Sequence, residues 1–185
     1  MNALENWFCS TGFWRRITCD RLLPWIVAGN SLGDHVLELG AGPGAGTAAL
    51  RRLVPRVTSL EWSHEFAVQL AAKDRNAVVQ ADAAFLPFAD ATFSSAIAVL
   101  MLHHLRTRAA QENAFREACR VLRPGGSFFA FEIEDNLLHR LIHVGSVFVP
   151  IDRADIADRL SAVGFSNVNL NSRAGGFRFS AKRAS

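Results

Sequence analysis

The sequence predicts an α/β fold built on a seven-stranded, mostly parallel sheet with helices on both faces and an antiparallel last strand. Three observations predict it. Short apolar runs alternate with segments of helical periodicity. One of those runs, HVLELG, passes directly into a glycine cluster. The last two strand candidates are separated only by Ser172 to Gly176, too short a connection for a crossover helix, so they pair antiparallel.

Taken in order, Phe13 to Ala28 carries Phe13, Ile17, Leu22, Trp25 and Ile26 among arginines, an amphipathic helix that Pro24 interrupts. His35 to Leu39 is the first strand, and a helix follows from Ala45 to Leu53, ended before Pro55. Val57 to Leu60 is the second strand with Glu61 at its end, His64 to Ala72 the next helix, and Ala77 to Gln80 the third strand. Asp82 to Thr92, with Pro87 and small or acidic residues, reads as a loop. AIAVLM, Ala96 to Met101, is a fourth strand buried on both faces. Arg108 to Leu122 is a helix closed by Pro124-Gly125-Gly126, and SFFAFEI the fifth strand. After a variable stretch, Arg153 to Val163 is helical, and Asn167 to Leu170 and Phe177 to Ala181 complete the sheet.

The 185 residues suit a single domain, 1–185, with 1–34 a helical substrate-side segment and 134–152 an acceptor-side lid insertion. The net charge of +3 rests almost wholly on arginine and is too small to imply nucleic-acid binding, so no nucleic acid is expected as a partner. Cys9, Cys19 and Cys119 have no metal-ligand spacing and read as structural or incidental thiols in a reduced setting. The N-terminal residues are not organised as a signal peptide, and AIAVLML is far too short to span a bilayer. The expectation is a soluble cytoplasmic protein, with peripheral membrane contact left open.

Gly40, Gly42 and Gly44 lie between a strand and a helix, where the missing side chains allow close turns and close approach of backbone to a ligand. Glu61 ends the second strand, 21 residues beyond Gly40, and its carboxylate can accept hydrogen bonds from both hydroxyls of a ribose. With ELGAGPG after the first strand, SLEWS after the second, QADAAFLPFAD after the third, VLMLHHL after the fourth and RVLRPGG before the fifth, the chain resembles the class I S-adenosylmethionine-dependent methyltransferases. The similarity is greatest to their small-molecule, quinone-biosynthesis-like branch.

The resemblance implies a Rossmann-like domain with S-adenosylmethionine as cofactor. It sets Gly40, Ala41 and Gly42 against the methionine part, Glu38 near the amino group and Glu61 on the ribose. Trp62 packs against the adenine or remains an ordinary core or surface tryptophan. Asp82 and the amide of Ala83 read the adenine edge, the competing role of Asp82 being to cap the next turn. A nicotinamide dehydrogenase fits less well because the third close glycine comes one residue early, and a nucleoside triphosphatase lacks a Gly-Lys-Ser/Thr turn.

A sulfonium methyl group is already activated, so the fold needs neither a resident metal nor a covalent nucleophile. His103 and His104 resemble a frequent pair in this branch. One of them, His103 first, is the candidate base, with loop shaping as the competing role. The acidic residue that the family often has after Phe93 is replaced by Ser94, and no Asn-Pro-Pro-Tyr or Asp-Pro-Pro-Tyr motif follows the fourth strand. Trp7, Phe8, Phe13 and Trp14, with Leu137, Leu138, Leu141, Ile142, Val147, Phe148 and Val149, are candidates for an apolar lid over a small aromatic, quinone-like or lipid-like acceptor. Arg15, Arg16 and Arg140 are candidates for an anionic group on it. A noncatalytic cofactor-binding or interaction module, and a protein or RNA methyltransferase, are the alternatives. His139 and His143 share a helical register, but no third ligand is specified, so no metal is expected.

Overall fold

A computed structural model describes residues 2–73, 78–173 and 175–184. Helices α1 (Ala3–Ser10) and α2 (Gly12–Ile17) lead through a π turn at Thr18–Leu22 into α3 (Leu23–Val27). The widened turn is the interruption expected at Pro24. Proline has no N–H to donate and its ring crowds the carbonyl four residues back, and the chain meets this by bonding Leu23 N–H to Thr18 O, five residues back. The chain then alternates through β1 (His35–Leu39), α4 (Ala45–Leu50), β2 (Arg56–Glu61), α5 (His64–Lys73), β3 (Val78–Gln80), β4 (Phe93–Val99), α6 (Arg108–Val121) and β5 (Leu122–Ile133). It ends with α7 (Leu137–Ile142), α8 (Ile156–Ala162), β6 (Phe165–Arg173) and β7 (Gly176–Arg183).

The strands form one sheet in the order β3-β2-β1-β4-β5-β7-β6. β1 to β5 run parallel, and β7 is antiparallel to both neighbours, as the short connection before it requires. Side-chain alternation sorts the core onto two faces. Leu37, Leu39, Ala96, Ala98, Phe128 and Ala130 pack with Ala114, Phe115 and Ala118 of α6 and with Ile156 and Leu160 of α8. Val36, Val57, Ile97 and Phe129 pack on the other face with Leu23 and Ile26 of α3 and Leu50 of α4. A fully buried phenylalanine contributes roughly 2–3 kcal/mol, so Phe128 and Phe129, side by side on β5, clamp both layers to the same strand.

Several boundaries depart from the expectation. β4 begins at Phe93 and stops at Val99, three residues early at the start and two at the end. Ser94 and Ser95 belong to it because their hydroxyls are satisfied inside: Ser94 Oγ accepts His35 N–H, and Ser95 Oγ donates to Leu32 O at 2.8 Å. Leu100, at φ +54, turns the chain out of the sheet. β5 starts at Leu122 and carries Pro124-Gly125-Gly126 within it, as an irregularity in its pairing with β4 rather than as a break. The helix expected to Leu53 ends at Leu50, and the one expected from Arg153 begins at Ile156. β6 and β7 are longer than expected. Ala77 of the expected third strand and Ala174 of the expected last connection lie outside the described residues.

Candidate active site

In a sheet of this order the strand sequence reverses between β1 and β4, which opens a crevice at their carboxyl ends. Gly40, Glu61, Asp82, the turn after β4 and Glu132 all lie at that edge.

Gly40, Gly42 and Gly44 have φ of +68, +53 and +91, so the sharp strand-to-helix turn uses the left-handed region that glycine enters without strain. At Gly42 a side chain would also meet nothing within 4 Å, so the turn presents bare backbone to open space there. The turn is tied down from beneath. Gly40 N–H and Ala41 N–H both donate to Leu60 O, Gly44 N–H donates to Ala41 O, and Gly42 N–H donates to Glu61 Oε2 at 2.7 Å. With its N–H groups engaged, what the turn offers a ligand is carbonyl oxygen.

Glu61 is buried, and its other oxygen accepts Ser63 N–H at 2.7 Å. Each carboxylate oxygen therefore holds one backbone donor and keeps a lone pair for another. Trp62, the next residue, is 66% exposed. It is not a core tryptophan, and among the described residues no aromatic ring is packed on it.

Glu38 lies deeper. Its Oε2 accepts Thr47 Oγ1 at 2.5 Å and Ser59 Oγ at 2.8 Å, and a side chain at Gly46 would collide with Oε1. Gly46 is a site residue that sequence reasoning missed: its bare face lets α4 close over the carboxyl. Burial, opposed by those hydroxyl bonds and reinforced by the Glu61 charge, pushes the Glu38 carboxyl up to about 7. The folded chain holds this proton more tightly than the unfolded one, so the stabilisation is complete below pH ~4.5 and is lost as pH rises through about 7. The thermal midpoint of the unliganded protein should fall between pH 5 and 8, by the equivalent of up to about 3 kcal/mol. Glu38→Gln should flatten that slope, as read by calorimetry across the pH series; an equal slope in the variant would move its origin elsewhere.

Asp82 is half-buried and its Oδ1 accepts Ala84 N–H at 2.8 Å, the turn-capping role. Its loop is pinned from α6: Arg120 donates to Leu86 O and Phe88 O, and Glu117 accepts Leu86 N–H. Ala83 is buried.

The histidines after β4 form part of a larger cluster. His103, 2% exposed, is bonded through Nδ1 to Oε2 of Glu132, which is 0% exposed. The other Glu132 oxygen accepts Met101 N–H at 3.1 Å and Leu102 N–H at 2.8 Å. One buried carboxylate thus fixes both the turn and the ring. His104 Nδ1 donates to Val147 O at 3.1 Å. Burial, followed by the neighbouring His103, holds the His104 ring down to about 3, so it is neutral at physiological pH. His143, placed by register beside His139, has its ring instead 5.1 Å from that of His103 and 5.5 Å from that of His104, with Phe148 stacked on it at 4.5 Å. Buried Gln111 on α6 donates to Leu102 O and Val149 O, and Val149 N–H donates to His103 O, zipping residues 147–149 onto the histidine turn.

Glu132, Gln111 and His143 were absent from the expected site. For the first two the sequence does hold a signal, a lone polar residue on an apolar strand and on the buried face of a helix. Burial pushes the Cys9 thiol up to about 11 and raises Cys19 and Cys119, which favours the protonated thiol at all three. Ser94 sits at the opposite end of β4 from the crevice, where it ties β4 to His35. Arg140 is engaged by Asp135 through two bonds of 2.6 Å.

A parallel sheet ending in an antiparallel seventh strand, with a glycine turn after β1 and a buried acid at the end of β2, defines the class I methyltransferase architecture. Residues 37–130 match the family model described as a methyltransferase domain. The chain belongs to that family, as a class I S-adenosylmethionine-dependent methyltransferase domain.

Among curated proteins it is 31% identical to the demethylmenaquinone methyltransferase of Tropheryma whipplei (strain Twist), over 68% of this chain and 50% of that one. It is 30% identical to the protein of the same name from Mycolicibacterium vanbaalenii, over 94% and 85%. A ubiquinone/menaquinone biosynthesis C-methyltransferase of Klebsiella pneumoniae is 30% identical over 69% and 51%. The chain thus spans about half the length of the Tropheryma and Klebsiella relatives. Among solved structures, a Pyrococcus horikoshii protein superposes with a TM-score of 0.78 at 18% identity, over 95% of this chain and 93% of that one. A methyltransferase of Methanosarcina mazei superposes with 0.71 at 17%, over 87% and 97%. These two likenesses concern the fold.

Proposed function

We propose that the protein transfers the methyl group of S-adenosylmethionine to a small aromatic, quinone-like or lipid-like acceptor. The observation that carries the reading is the Glu61 corner: a buried carboxylate with a lone pair left on each oxygen, bare backbone at Gly42 and the exposed ring of Trp62 beside it. This set suits a nucleoside: Glu61 for the ribose hydroxyls, Trp62 for the adenine face, Asp82 Oδ2 and the Ala83 amide for the adenine edge. The carbonyls of Gly40 and Gly42 suit a ligand ammonium, with the Glu38 carboxyl close behind. When bound, S-adenosylmethionine supplies a methyl group on a sulfonium that leaves as a neutral thioether.

The protein's part is then to position the acceptor, exclude water and take a proton. His103 is the first choice for the proton, because Glu132 occupies Nδ1 and leaves Nε2 as the basic nitrogen. Residues 1–34 and 134–152 form the acceptor side. Trp7, Phe13, Leu137, Leu138 and Leu141 are exposed, and Asn2 joins α1 to the end of α7 through Ile142 O and Val144 O. Such an apolar rim favours an acceptor with a hydrophobic body and would let the protein rest on a bilayer that carries it. The relatives named for quinone biosynthesis favour the same class.

Calorimetric titration with S-adenosylmethionine, with NAD as the comparison, tests the cofactor assignment. Saturable binding of one equivalent, with none for NAD, is expected, and an acceptor screen then begins with quinones, phenols and lipids. Folded protein that leaves S-adenosylmethionine unbound would overturn the reading.

A further inference from the structure

We infer that His103, His104 and His143 form a binding site for a first-row divalent cation, and that their ligand chemistry suits zinc. One ring nitrogen from each lies within 4.8 Å of those from the other two. The Nδ1 of each ring faces an oxygen that accepts: the Glu132 carboxylate, Val147 O at 3.1 Å and His139 O at 2.7 Å. Each Nδ1 therefore carries a proton, so the nitrogen that each ring can offer a metal is Nε2. Metal-binding histidines are anchored in this way, with the second ring N–H held by a carboxylate or a backbone carbonyl. Three rings fixed in the same tautomer by three separate acceptors give the cluster a uniform donor set.

The surrounding charge agrees. His143 Nε2 stands 3.6 Å from Glu5 Oε1, and both residues are buried. The contact calls for a positive charge beside the Glu5 carboxylate, which either a second ring proton or a bound cation supplies. Glu5 is itself held by Asn2 N–H on Oε2 and by the Ser146 hydroxyl on Oε1. With Glu132 on the other side, two acidic side chains flank the three rings, an arrangement that favours a divalent ion. Zinc–nitrogen bonds of about 2.0–2.1 Å put tetrahedral ligand nitrogens roughly 3.3 Å apart, so the rings would close by about 1–1.5 Å on binding. Three protein ligands leave a fourth position for water or an acceptor oxygen.

The ion would join segments distant in sequence, the turn after β4 and the end of α7, and so fasten the acceptor-side segment to the sheet edge. Its binding does not depend on the proposed methyl transfer. Only its consequence does: an acceptor oxygen on the metal gives up its proton more readily, the task otherwise assigned to free His103.

The test is titration of the metal-stripped full chain with Zn²⁺ by calorimetry, and with Co²⁺ by visible absorption, in the wild type and in His104→Gln, His143→Gln and His139→Gln. Expected are one Zn²⁺ per chain, a loss of at least about 10²-fold in affinity in each of the first two variants, and retention in the third, whose ring is outside the cluster. Titration of each variant with S-adenosylmethionine separates this result from failure of the methyltransferase reading. Absence of stoichiometric Zn²⁺ binding in the wild type, undiminished affinity in both cluster variants, or a Co²⁺ spectrum of thiolate ligation would each overturn the site.

Discussion

Replacing Glu61 by alanine is expected to raise the dissociation constant for S-adenosylmethionine by roughly 10²–10⁴-fold, since hydrogen bonds to a charged group contribute about 1.5–3 kcal/mol each and two are lost. Part of the loss is indirect. Glu61 also accepts Gly42 N–H and Ser63 N–H, so its removal frees the backbone on both sides of the crevice. Those amides lie beside the open turn and can be hydrated, so the fold should survive with a lower midpoint. Glu61→Gln separates the two contributions. Its amide keeps one acceptor oxygen but presents N–H where a backbone donor already stands, so it should fall between wild type and alanine. Calorimetry gives the affinities, and a urea titration confirms the folded state. Wild-type affinity in a folded Glu61→Ala protein would remove this residue from the ribose.

Much of this corner was legible in the sequence because local chemistry fixes it. A β-rich apolar run entering a glycine turn admits few structures, and β1 matches its expected bounds residue for residue. The misreadings share another cause. Ser94 and Ser95 look like loop residues until Leu32 and His35, some sixty positions earlier, take up their hydroxyls. Pro124-Gly125-Gly126 looks like a stop until it is seen paired beside β4. The histidine cluster is the extreme case: helical register assigns His143 a neighbour four residues away, while tertiary packing sets it against rings some forty residues away. Glu132 is the instructive residue. A single acid inside SFFAFEI costs several kcal/mol if buried without partners, so its presence in a strand buried on both faces already announces a partner, and only the fold says which.

The second large effect is expected at Glu132, which positions His103. Glu132→Gln should lower kcat about 10²–10⁴-fold, the range of a general base, while leaving S-adenosylmethionine affinity near the wild-type value. The reason is tautomeric. The glutamine oxygen can still accept the Met101 and Leu102 amides, so the turn after β4 keeps its shape. Its NH₂, however, faces His103 Nδ1, which must then become the acceptor; the ring proton moves to Nε2, and the lone pair needed there, for a proton or for a metal ion, is gone. Glu132→Ala is a different experiment: it leaves two backbone amides and a ring N–H unpaired in a dry site, and should destabilise the protein by about 3–5 kcal/mol. Long-range ¹H–¹⁵N correlations of the imidazole report the tautomer directly, independent of turnover. A kcat loss with His103 still protonated at Nδ1 would show that Glu132 acts through the shape of the turn. A tautomer switch with full kcat would remove His103 Nε2 from the chemistry.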